Sequence, residues 1–170
     1  MHMPRSMSTP ATRSTALIVA ASVLCLAGCD RTQPNISPST QCNESVSANR
    51  EIVLSFYKAG LIERRPREAF ERFAATEMVE HKPDVPNGTR AAVVEYLEQL
   101  IAELPQAQWE VLRVAAEGDL VFLHAKFVPA PGADPYAIAD VFRLKGCKIV
   151  EHWDVVGPPR DGQVNPNPRF

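Results

Sequence analysis

The stretch YAIADVFRLKGCKIVEHWDVV, residues 136–156, is the part of the sequence that decides the fold. Apolar and polar residues alternate on both sides of Lys145-Gly146-Cys147, which is the pattern of two half-buried β-strands joined by a tight turn. We therefore predict a hairpin whose strands cover residues 136–144 and 148–156.

A second hairpin is predicted immediately upstream. Residues 108–116 and 120–128 are rich in apolar and β-branched residues, and Glu117-Gly118-Asp119 separates them as a turn. Because the strands of a hairpin pair antiparallel, we expect an antiparallel sheet of about four strands.

Three helices are predicted before the strands. Asn49 is the expected N-cap of the first helix, which ends near Gly60, and Pro66 suits the first turn of the second. Thr89 caps the third helix and Pro105 ends it. The second helix carries an apolar face made of Ala69, Phe70, Phe73 and Ala74. Three N-terminal helices followed by strands predict an α+β fold, in which a curved sheet closed by helices forms a cone-shaped barrel with a pocket at its open end.

The N-terminus has the pattern of an export signal. An apolar run over residues 16–26 is too short for a membrane-spanning helix, which needs about 20 residues. Leu26-Ala27-Gly28-Cys29 follows it and resembles the bacterial lipobox, in which the cysteine is acylated after cleavage. We predict a signal peptide over residues 1–28 and a protein anchored by lipid on Cys29 to the cell envelope, on the periplasmic or extracellular side of the membrane. An ordinary signal followed by an incidental thiol is the alternative.

The remaining chain divides into a tether and one domain. Residues 29–49 are rich in Ser, Asn, Thr and Pro without apolar periodicity, which is typical of a flexible linker. Residues 50–170 form the domain and its Pro-rich C-terminal tail. In an oxidising envelope Cys42 and Cys147 could form a disulfide that ties the tether to the second hairpin; two free thiols are the alternative.

Composition excludes several classes of function. The 170 residues carry a formal net charge of −2 and contain no basic block, so nothing favours nucleic-acid binding. The histidines lack the spacing of metal ligands, and no glycine-rich phosphate loop or GxSxG motif occurs. We therefore expect neither a metal ion nor an organic cofactor.

Several motifs together resemble one protein family. They are MVEHKPDVPNG at residues 78–88, EGDLV at 117–121, DVFR at 140–143, KIVEHWDVV at 148–156, and Asn165-Pro166-Asn167 with the terminal Phe170. Over roughly residues 50–170 the chain resembles SnoaL-like proteins, the polyketide-cyclase-like branch of the nuclear-transport-factor-2-like superfamily. The resemblance implies a cone-shaped α+β barrel, often a homodimer formed through the outer face of the sheet. It also implies that some members catalyse aldol condensation or cyclisation by acid–base chemistry without a cofactor.

Two features depart from this family. Cys147 stands where a hairpin glycine is usual, and polyketide cyclases work in the cytoplasm, whereas this chain carries a lipobox.

Asp140 is the first candidate for a catalytic base. It lies between Ile138 and Phe142 on one strand face, so it points into the cone if those apolar side chains do. A buried carboxylate has a raised pKa, which suits proton abstraction next to a carbonyl. The alternative is an ion pair with Arg143 or Lys148 at the rim of the sheet.

His81 and Asp154 are the other candidate catalytic residues. His81 precedes a lysine and a proline in a loop and could serve as acid, base or hydrogen-bond donor at the cone mouth, or only cap local backbone. Asp154 is a second carboxylate, whose alternative role is an ion pair at the end of a strand.

The orientation of the last strand stays open at this point. His152 and Asp154 share one face, and Glu151 and Trp153 share the other. A two-residue turn would pair Asp140 with Glu151 or Trp153, whereas a three-residue turn with a bulge would pair it with His152. The candidate ligand-pocket residues are Tyr57, Tyr96, Phe142, His152 and Trp153. For Tyr57, Tyr96 and Trp153, packing in the core is the alternative.

Two hypotheses about function follow. The first is a cofactor-independent enzyme of the aldol-condensation, cyclase or isomerase type. The second is a non-catalytic module that binds a small apolar or carbonyl-containing ligand. An interaction subunit that dimerises through its sheet is compatible with either hypothesis.

Overall fold

The computed structural model describes residues 42–162, 164–167, 169 and 170. The predicted signal peptide, Cys29 with its predicted acylation, and most of the predicted tether lie outside these residues. Within the described part, no helix is long and apolar enough to cross a membrane.

Three α-helices form one layer of the domain. They are α1 (Val46–Tyr57), α2 (Pro66–Phe73) and α3 (Arg90–Glu103); a π-helical segment, Lys58–Ile62, extends α1, and a 3-10 turn, Pro86–Gly88, precedes α3. Pro66 and Thr89 occupy the predicted positions, and the Thr89 side chain accepts a hydrogen bond from the backbone N–H of Ala92.

The first helix begins earlier than the sequence pattern indicates. Its N-cap is Ser45 rather than Asn49, because the Ser45 hydroxyl accepts a hydrogen bond from the backbone N–H of Ala48 at 3.2 Å. Asn49 instead lies buried inside the helix, and its side-chain amide donates to the Gly118 carbonyl at 3.1 Å. Asn49 therefore attaches α1 to the turn between two strands.

The sheet has five strands, not about four. The additional strand is β1 (Ala74–Glu80), which starts at the alanine that we assigned to the second helix. It pairs in parallel with the last strand of the chain. Its own sequence, AATEMVE, contains three polar residues and no long apolar alternation, so only this distant pairing identifies it as a strand.

The four predicted strands are confirmed to within one residue. They are β2 (Gln108–Glu117), β3 (Leu120–Val128), β4 (Tyr136–Lys145) and β5 (Lys148–Gly157). The strand order is β1-β5-β4-β3-β2, with antiparallel pairing throughout β2 to β5. The strand β5, which carries the Glu-His-Trp-Asp motif, therefore lies between β1 and β4.

A bulge in β5 decides which residues face the helices. The β4–β5 turn is a two-residue turn, Gly146-Cys147, but the register shifts between Arg143 and Leu144, so that Val150 is the extra residue. Asp140 consequently lies opposite Asp154. Asp140 does not pair with Glu151, Trp153 or His152, which were the partners considered from the sequence. None of those pairings combined a two-residue turn with a bulge in β5.

The core fills the space between the helices and the inner face of the sheet. Phe56 of α1 contacts Phe70 of α2 and Phe142 of β4 edge-to-face, with ring centroids 4.9 and 5.7 Å apart. Gly60 allows the chain to pass close to α2, since a Cβ atom there would lie 3.3 Å from Cβ of Ala69.

A disulfide closes the end of the domain where β4 turns into β5. Cys42 and Cys147 are joined with their Cα atoms 5.9 Å apart. Cys147 has a φ of 57°, a left-handed conformation that two-residue hairpin turns require and that glycine adopts most easily. The first described residue is thereby tied to the hairpin.

Candidate functional site

The helices and the inner face of the sheet enclose a cavity of about 330 Å³. Its wall is mainly aromatic and aliphatic, and eight aromatic side chains contribute to it: Phe56, Tyr57, Phe70, Tyr96, Trp109, Phe127, Tyr136 and Phe142. Polar side chains converge at one part of this wall. An apolar cavity with a few convergent polar groups is the usual form of a small-molecule site.

A row of three side chains crosses three neighbouring strands at the polar part of the cavity. His152 of β5 lies between Glu80 of β1 and Asp140 of β4. Its Nδ1 atom is 2.8 and 3.0 Å from the two carboxylate oxygens of Glu80, and its Nε2 atom is 3.2 Å from Oδ1 of Asp140. The Glu80 side chain is completely buried, and its Oε1 also accepts a hydrogen bond from the backbone N–H of Lys82.

These contacts set the protonation of the row. Burial by itself lowers the pKa of His152, but its hydrogen bonds to Asp140 and Glu80 outweigh burial and raise that pKa to about 9. Burial raises the pKa of Asp140, although the hydrogen bond to His152 partly opposes this. At neutral pH His152 is therefore an imidazolium held between two carboxyl groups.

A second ion pair lies beside this row. Nζ of Lys82 is 2.8 Å from Oδ2 of Asp154 and 3.3 Å from a carboxylate oxygen of Asp84. Asp154 is nearly buried, whereas Asp84 is mostly exposed, so the pair extends from the interior toward solvent. The lysine ammonium also lies 5.9 Å from the ring centroid of Tyr96, within range of a cation–π contact.

Two buried polar atoms in the cavity wall lack a hydrogen-bond partner within the described residues. They are Oδ2 of Asp140 and the hydroxyl oxygen of Tyr57. Burial raises the pKa of Tyr57 well above its ordinary value of 10, and the nearby Asp140 and Asp154 raise it further, so the phenol keeps its proton. These two buried atoms are thus one hydrogen-bond acceptor and one donor that the described residues leave unused.

Most of the predicted site residues line this cavity. They are Asp140, Asp154, Tyr57, Tyr96, Phe142 and His152. The alternative for Asp140, an ion pair with Arg143 at the rim, does not occur. Arg143 instead contacts Asp119 and Glu151, each at 3.0 Å.

Two predicted residues, His81 and Trp153, do not line the cavity. The bulge at Val150 turns His152 and Asp154 inward, so Trp153 lies on the outer face of the sheet with Glu151. The His81 ring stacks on Trp153 with centroids 4.7 Å apart, and its Nε2 lies 2.9 Å from Glu151. The assignment of His81 as a group at the cone mouth and of Trp153 as a pocket residue is therefore wrong in this structure.

Three polar residues of the cavity were missed from the sequence, namely Glu80, Lys82 and Asp84. All three lie in or just after β1, the strand that the sequence pattern did not reveal. The alternation of buried Met78 and Glu80 with exposed Val79 is the signal that identifies the inward face of β1.

The acidic residues of the cavity do not form a metal site. Among the residues that the structure describes, no group of three or more His, Cys, Asp or Glu side chains has an arrangement that could hold a metal ion. The carboxyl groups are instead occupied by His152 and Lys82.

Comparison with known proteins identifies the family. The model of the SnoaL-like domain matches residues 53–152, which is more than half of the chain and includes β1, most residues of the cavity wall and the Asp140–His152 pair. The chain belongs to the SnoaL-like family. None of the curated proteins matches the sequence of this SnoaL-like protein significantly.

Solved structures share the fold of this SnoaL-like protein. A provisionally assigned polyketide cyclase from Acidithiobacillus ferrooxidans is 23% identical, with a TM-score of 0.54 over 66% of this chain and 90% of that one. A provisionally assigned isomerase of the SnoaL-like family from Agrobacterium tumefaciens is 14% identical, with a TM-score of 0.56 over 66% of this chain and 99% of that one. AclR from Streptomyces galilaeus, provisionally assigned as a hydroxylase, is 21% identical, with a TM-score of 0.56 over 66% of this chain and 91% of that one.

Proposed function

We propose that this protein is a cofactor-independent acid–base enzyme of the aldol-condensation, cyclase or isomerase type. It would move a proton next to the carbonyl group of a small apolar molecule. The observation that carries the proposal is the buried carboxyl group of Asp140, which lines an apolar cavity together with Tyr57. Its Oδ2, like the Tyr57 hydroxyl, has no hydrogen-bond partner within the described residues.

The two unpartnered atoms have complementary chemical roles. Oδ2 of Asp140 removes a proton from the carbon next to the carbonyl. The electron pair of that C–H bond forms a C=C bond, and the π pair of the carbonyl moves onto its oxygen. The Tyr57 hydroxyl donates a hydrogen bond to the resulting enolate oxygen and stabilises its charge. Return of the proton from Asp140 to another carbon of the ligand completes an isomerisation. In a cyclisation, the enolate carbon attacks a second carbonyl of the same ligand, and the proton on Asp140 passes to the alkoxide oxygen that this attack creates.

The surrounding residues hold Asp140 in position for this step. His152 binds Oδ1 and thereby leaves Oδ2 directed at the ligand, while Glu80 fixes the orientation of the His152 ring from the opposite side. Burial raises the pKa of Asp140, which makes its carboxylate a stronger base than one in water.

The family and its solved structures support the choice of reaction class. Two of the similar structures are provisionally assigned as a polyketide cyclase and as an isomerase, which are two of the reaction types that we propose. Asp154, paired with Lys82 beside Asp140, is the second carboxyl group that we propose to take part, by orienting the ligand or shuttling a proton.

Hydrogen exchange at a carbon acid tests this proposal without knowledge of the natural substrate. We expect the protein to accelerate exchange of the acidic α-hydrogens of β-tetralone for deuterium in D₂O, followed by proton NMR. Asp140→Asn should lower the exchange rate by about a hundredfold or more, because general-base catalysis typically contributes that much.

The exposed carboxylate of Asp84 gives the matched control. Asp84→Asn removes an acid of the same cavity that has little burial and no contact with His152, and it should retain most of the exchange. Equal exchange rates for Asp140→Asn and the unmodified protein would refute the assignment of Asp140 as the base.

A binding module without catalysis is the second candidate function. The predominantly apolar wall of the cavity favours it, since such a wall binds an apolar molecule whether or not a reaction follows. Binding of β-tetralone without any acceleration of α-hydrogen exchange would support this second function over the first.

We also propose that the protein is anchored by lipid on Cys29 at the cell envelope and forms a homodimer. The lipobox at residues 26–29 supports the anchor, and exposed apolar side chains of the sheet, among them Phe122 and Val155, support the dimer. Cys29→Ala should move the protein from the membrane fraction to the soluble fraction, and a monomer in sedimentation analysis would contradict the dimer.

A further inference from the structure

The polar part of the cavity has an unbalanced charge. Three buried carboxyl groups, those of Glu80, Asp140 and Asp154, face two cations, His152 and Lys82. Their side chains are all at most 14% exposed, so water screens the group only weakly. With every group ionised, one negative charge remains, and the mostly exposed Asp84 adds another at the edge.

Both cations are already paired with carboxylates. His152 uses its two ring nitrogens for Glu80 and Asp140, and Lys82 contacts Asp154 and Asp84. Among the residues described, no other Lys, Arg or His lines the cavity. A carboxylate or phosphate that entered would therefore compete with the carboxylates that already neutralise both cations.

The atoms left for a ligand also disfavour an anion. Oδ2 of Asp140, which has no hydrogen-bond partner within the described residues, would repel a second carboxylate, and the Tyr57 hydroxyl offers a donor without charge. Like charges brought together at a buried site cost far more than exposed ones. An uncharged head, or a cation, meets no such cost.

We propose that this cavity selects its ligand by charge, accepting an uncharged or cationic polar head and rejecting an anionic one, with Glu80 and Asp140 as the determinants. The ligand class that fits is an apolar molecule with a neutral carbonyl head, and free carboxylates and phosphates are excluded. The inference rests on the proposed function only in placing the polar head of the ligand at Asp140. This preference for an uncharged or cationic head, which we call the charge rule, holds for a non-catalytic binding module as well.

Three probes with the same bicyclic frame test the charge rule. They are β-tetralone, the corresponding tetralin carboxylate and the corresponding aminotetralin, which differ at one position in carrying a ketone, an anion or a cation. Isothermal titration calorimetry with the full-length protein at neutral pH gives their dissociation constants. We expect the carboxylate to bind about tenfold or more weakly than the ketone, because a buried like charge opposes it.

Variants that remove one buried negative charge should reduce this discrimination. Glu80→Gln leaves the shape of the side chain unchanged and should reduce the ratio between the dissociation constants of the carboxylate and the ketone. Asp84→Asn, at the exposed edge, should preserve most of that ratio. If Glu80→Gln does not fold, Asp140→Asn tests the same point, since it removes a charge without changing size.

Three results would overturn the inference. The first is a carboxylate that binds as tightly as the ketone. The second is a ratio of carboxylate to ketone dissociation constants that stays the same in both Glu80→Gln and Asp140→Asn. The third is that none of the three probes binds. The proposed enzyme function fails separately. A ketone that is bound but shows no α-hydrogen exchange, or an ammonium bound in strong preference to the ketone, would contradict catalysis and leave the charge rule intact.

Discussion

The His152 imidazolium links the site to the pH dependence of stability. In the folded protein its pKa is raised to about 9 by Asp140 and Glu80, against an ordinary value of 6.5. A raised pKa means that the folded state holds the proton more tightly, so this stabilisation is complete below about pH 6.5 and is lost as the pH rises through about 9. We expect the free energy of unfolding to fall by about 3 kcal/mol across that interval.

Urea unfolding at a series of pH values measures this effect. His152→Gln should flatten the pH dependence between pH 6.5 and 9, because the titrating group is gone. His81→Gln is the matched control, since His81 lies on the outer face against Glu151, and it should retain the slope. The same slope in His152→Gln and in the unmodified protein would contradict the raised pKa.

The Tyr57 hydroxyl is the second prediction at the scale of single residues. It is buried and has no hydrogen-bond partner within the described residues, so Tyr57→Phe removes no hydrogen bond to those residues. Stability should change by no more than about 0.5 kcal/mol or should rise slightly. The rate of β-tetralone exchange should fall by about a hundredfold, since one donor to the enolate oxygen is lost.

Melting temperature and exchange rate, measured on the same Tyr57→Phe preparation, separate the two effects. A large loss of stability without loss of exchange would mean that the phenol has a structural role. Tyr96→Phe provides the comparison, because Tyr96 lies beside Lys82 rather than Asp140.

At the scale of elements, the loop after β1 keeps Glu80 in place. Gly88 has a φ of 58°, and a Cβ atom there would lie 2.5 Å from the backbone oxygen of Glu80. Gly132 has a φ of 81° but open space around it. Gly132→Ala should cost about 1–2 kcal/mol for the left-handed conformation alone, and Gly88→Ala should cost more because the loop must also move away from Glu80.

Thermal unfolding of the two alanine variants checks this difference. Displacement of Glu80 in Gly88→Ala should also lower the pKa of His152, which histidine NMR titration would detect. Equal losses of stability in both variants would show that the contact with Glu80 is unimportant.

The elements also show what the sequence could and could not reveal. The strands β2 to β5 follow from local alternation and from the turns at Gly118 and Gly146, so their predicted bounds hold within one residue. The strand β1 depends on parallel pairing with β5, which lies about 70 residues downstream and leaves no local pattern. Missing β1 meant missing Glu80, the residue that orients His152.

The orientation of β5 was the other feature beyond sequence reasoning. Alternation places His152 and Asp154 on one face and Trp153 on the other, but the bulge at Val150 decides which face is inward. Asp140 could be predicted because Ile138 and Phe142 flank it on the same face of β4. His81 and Trp153 could not be excluded until the register was known.

At the scale of the whole molecule, the disulfide joins the start of the domain to its second hairpin. Cys42 and Cys147 are 105 residues apart, so the bond restricts most of the unfolded chain. Loss of the bond should lower the free energy of unfolding by about 2–5 kcal/mol. Cys42→Ala is the preferred variant, because it leaves the left-handed turn at Cys147 unchanged.

Unfolding with and without a thiol reductant tests this prediction. The reductant should destabilise the unmodified protein to the level of Cys42→Ala and should have no effect on that variant. Identical unfolding of the oxidised and reduced protein would contradict a stabilising disulfide.

The whole domain places one polar row, Glu80–His152–Asp140, against an apolar cavity, and the most direct test of its role is a crystal structure with β-tetralone bound. The account predicts the carbonyl oxygen at the Tyr57 hydroxyl and the acidic α-carbon facing Oδ2 of Asp140. A ketone bound with its oxygen at Lys82, or with its α-carbon directed away from Asp140, would contradict Asp140 as the base.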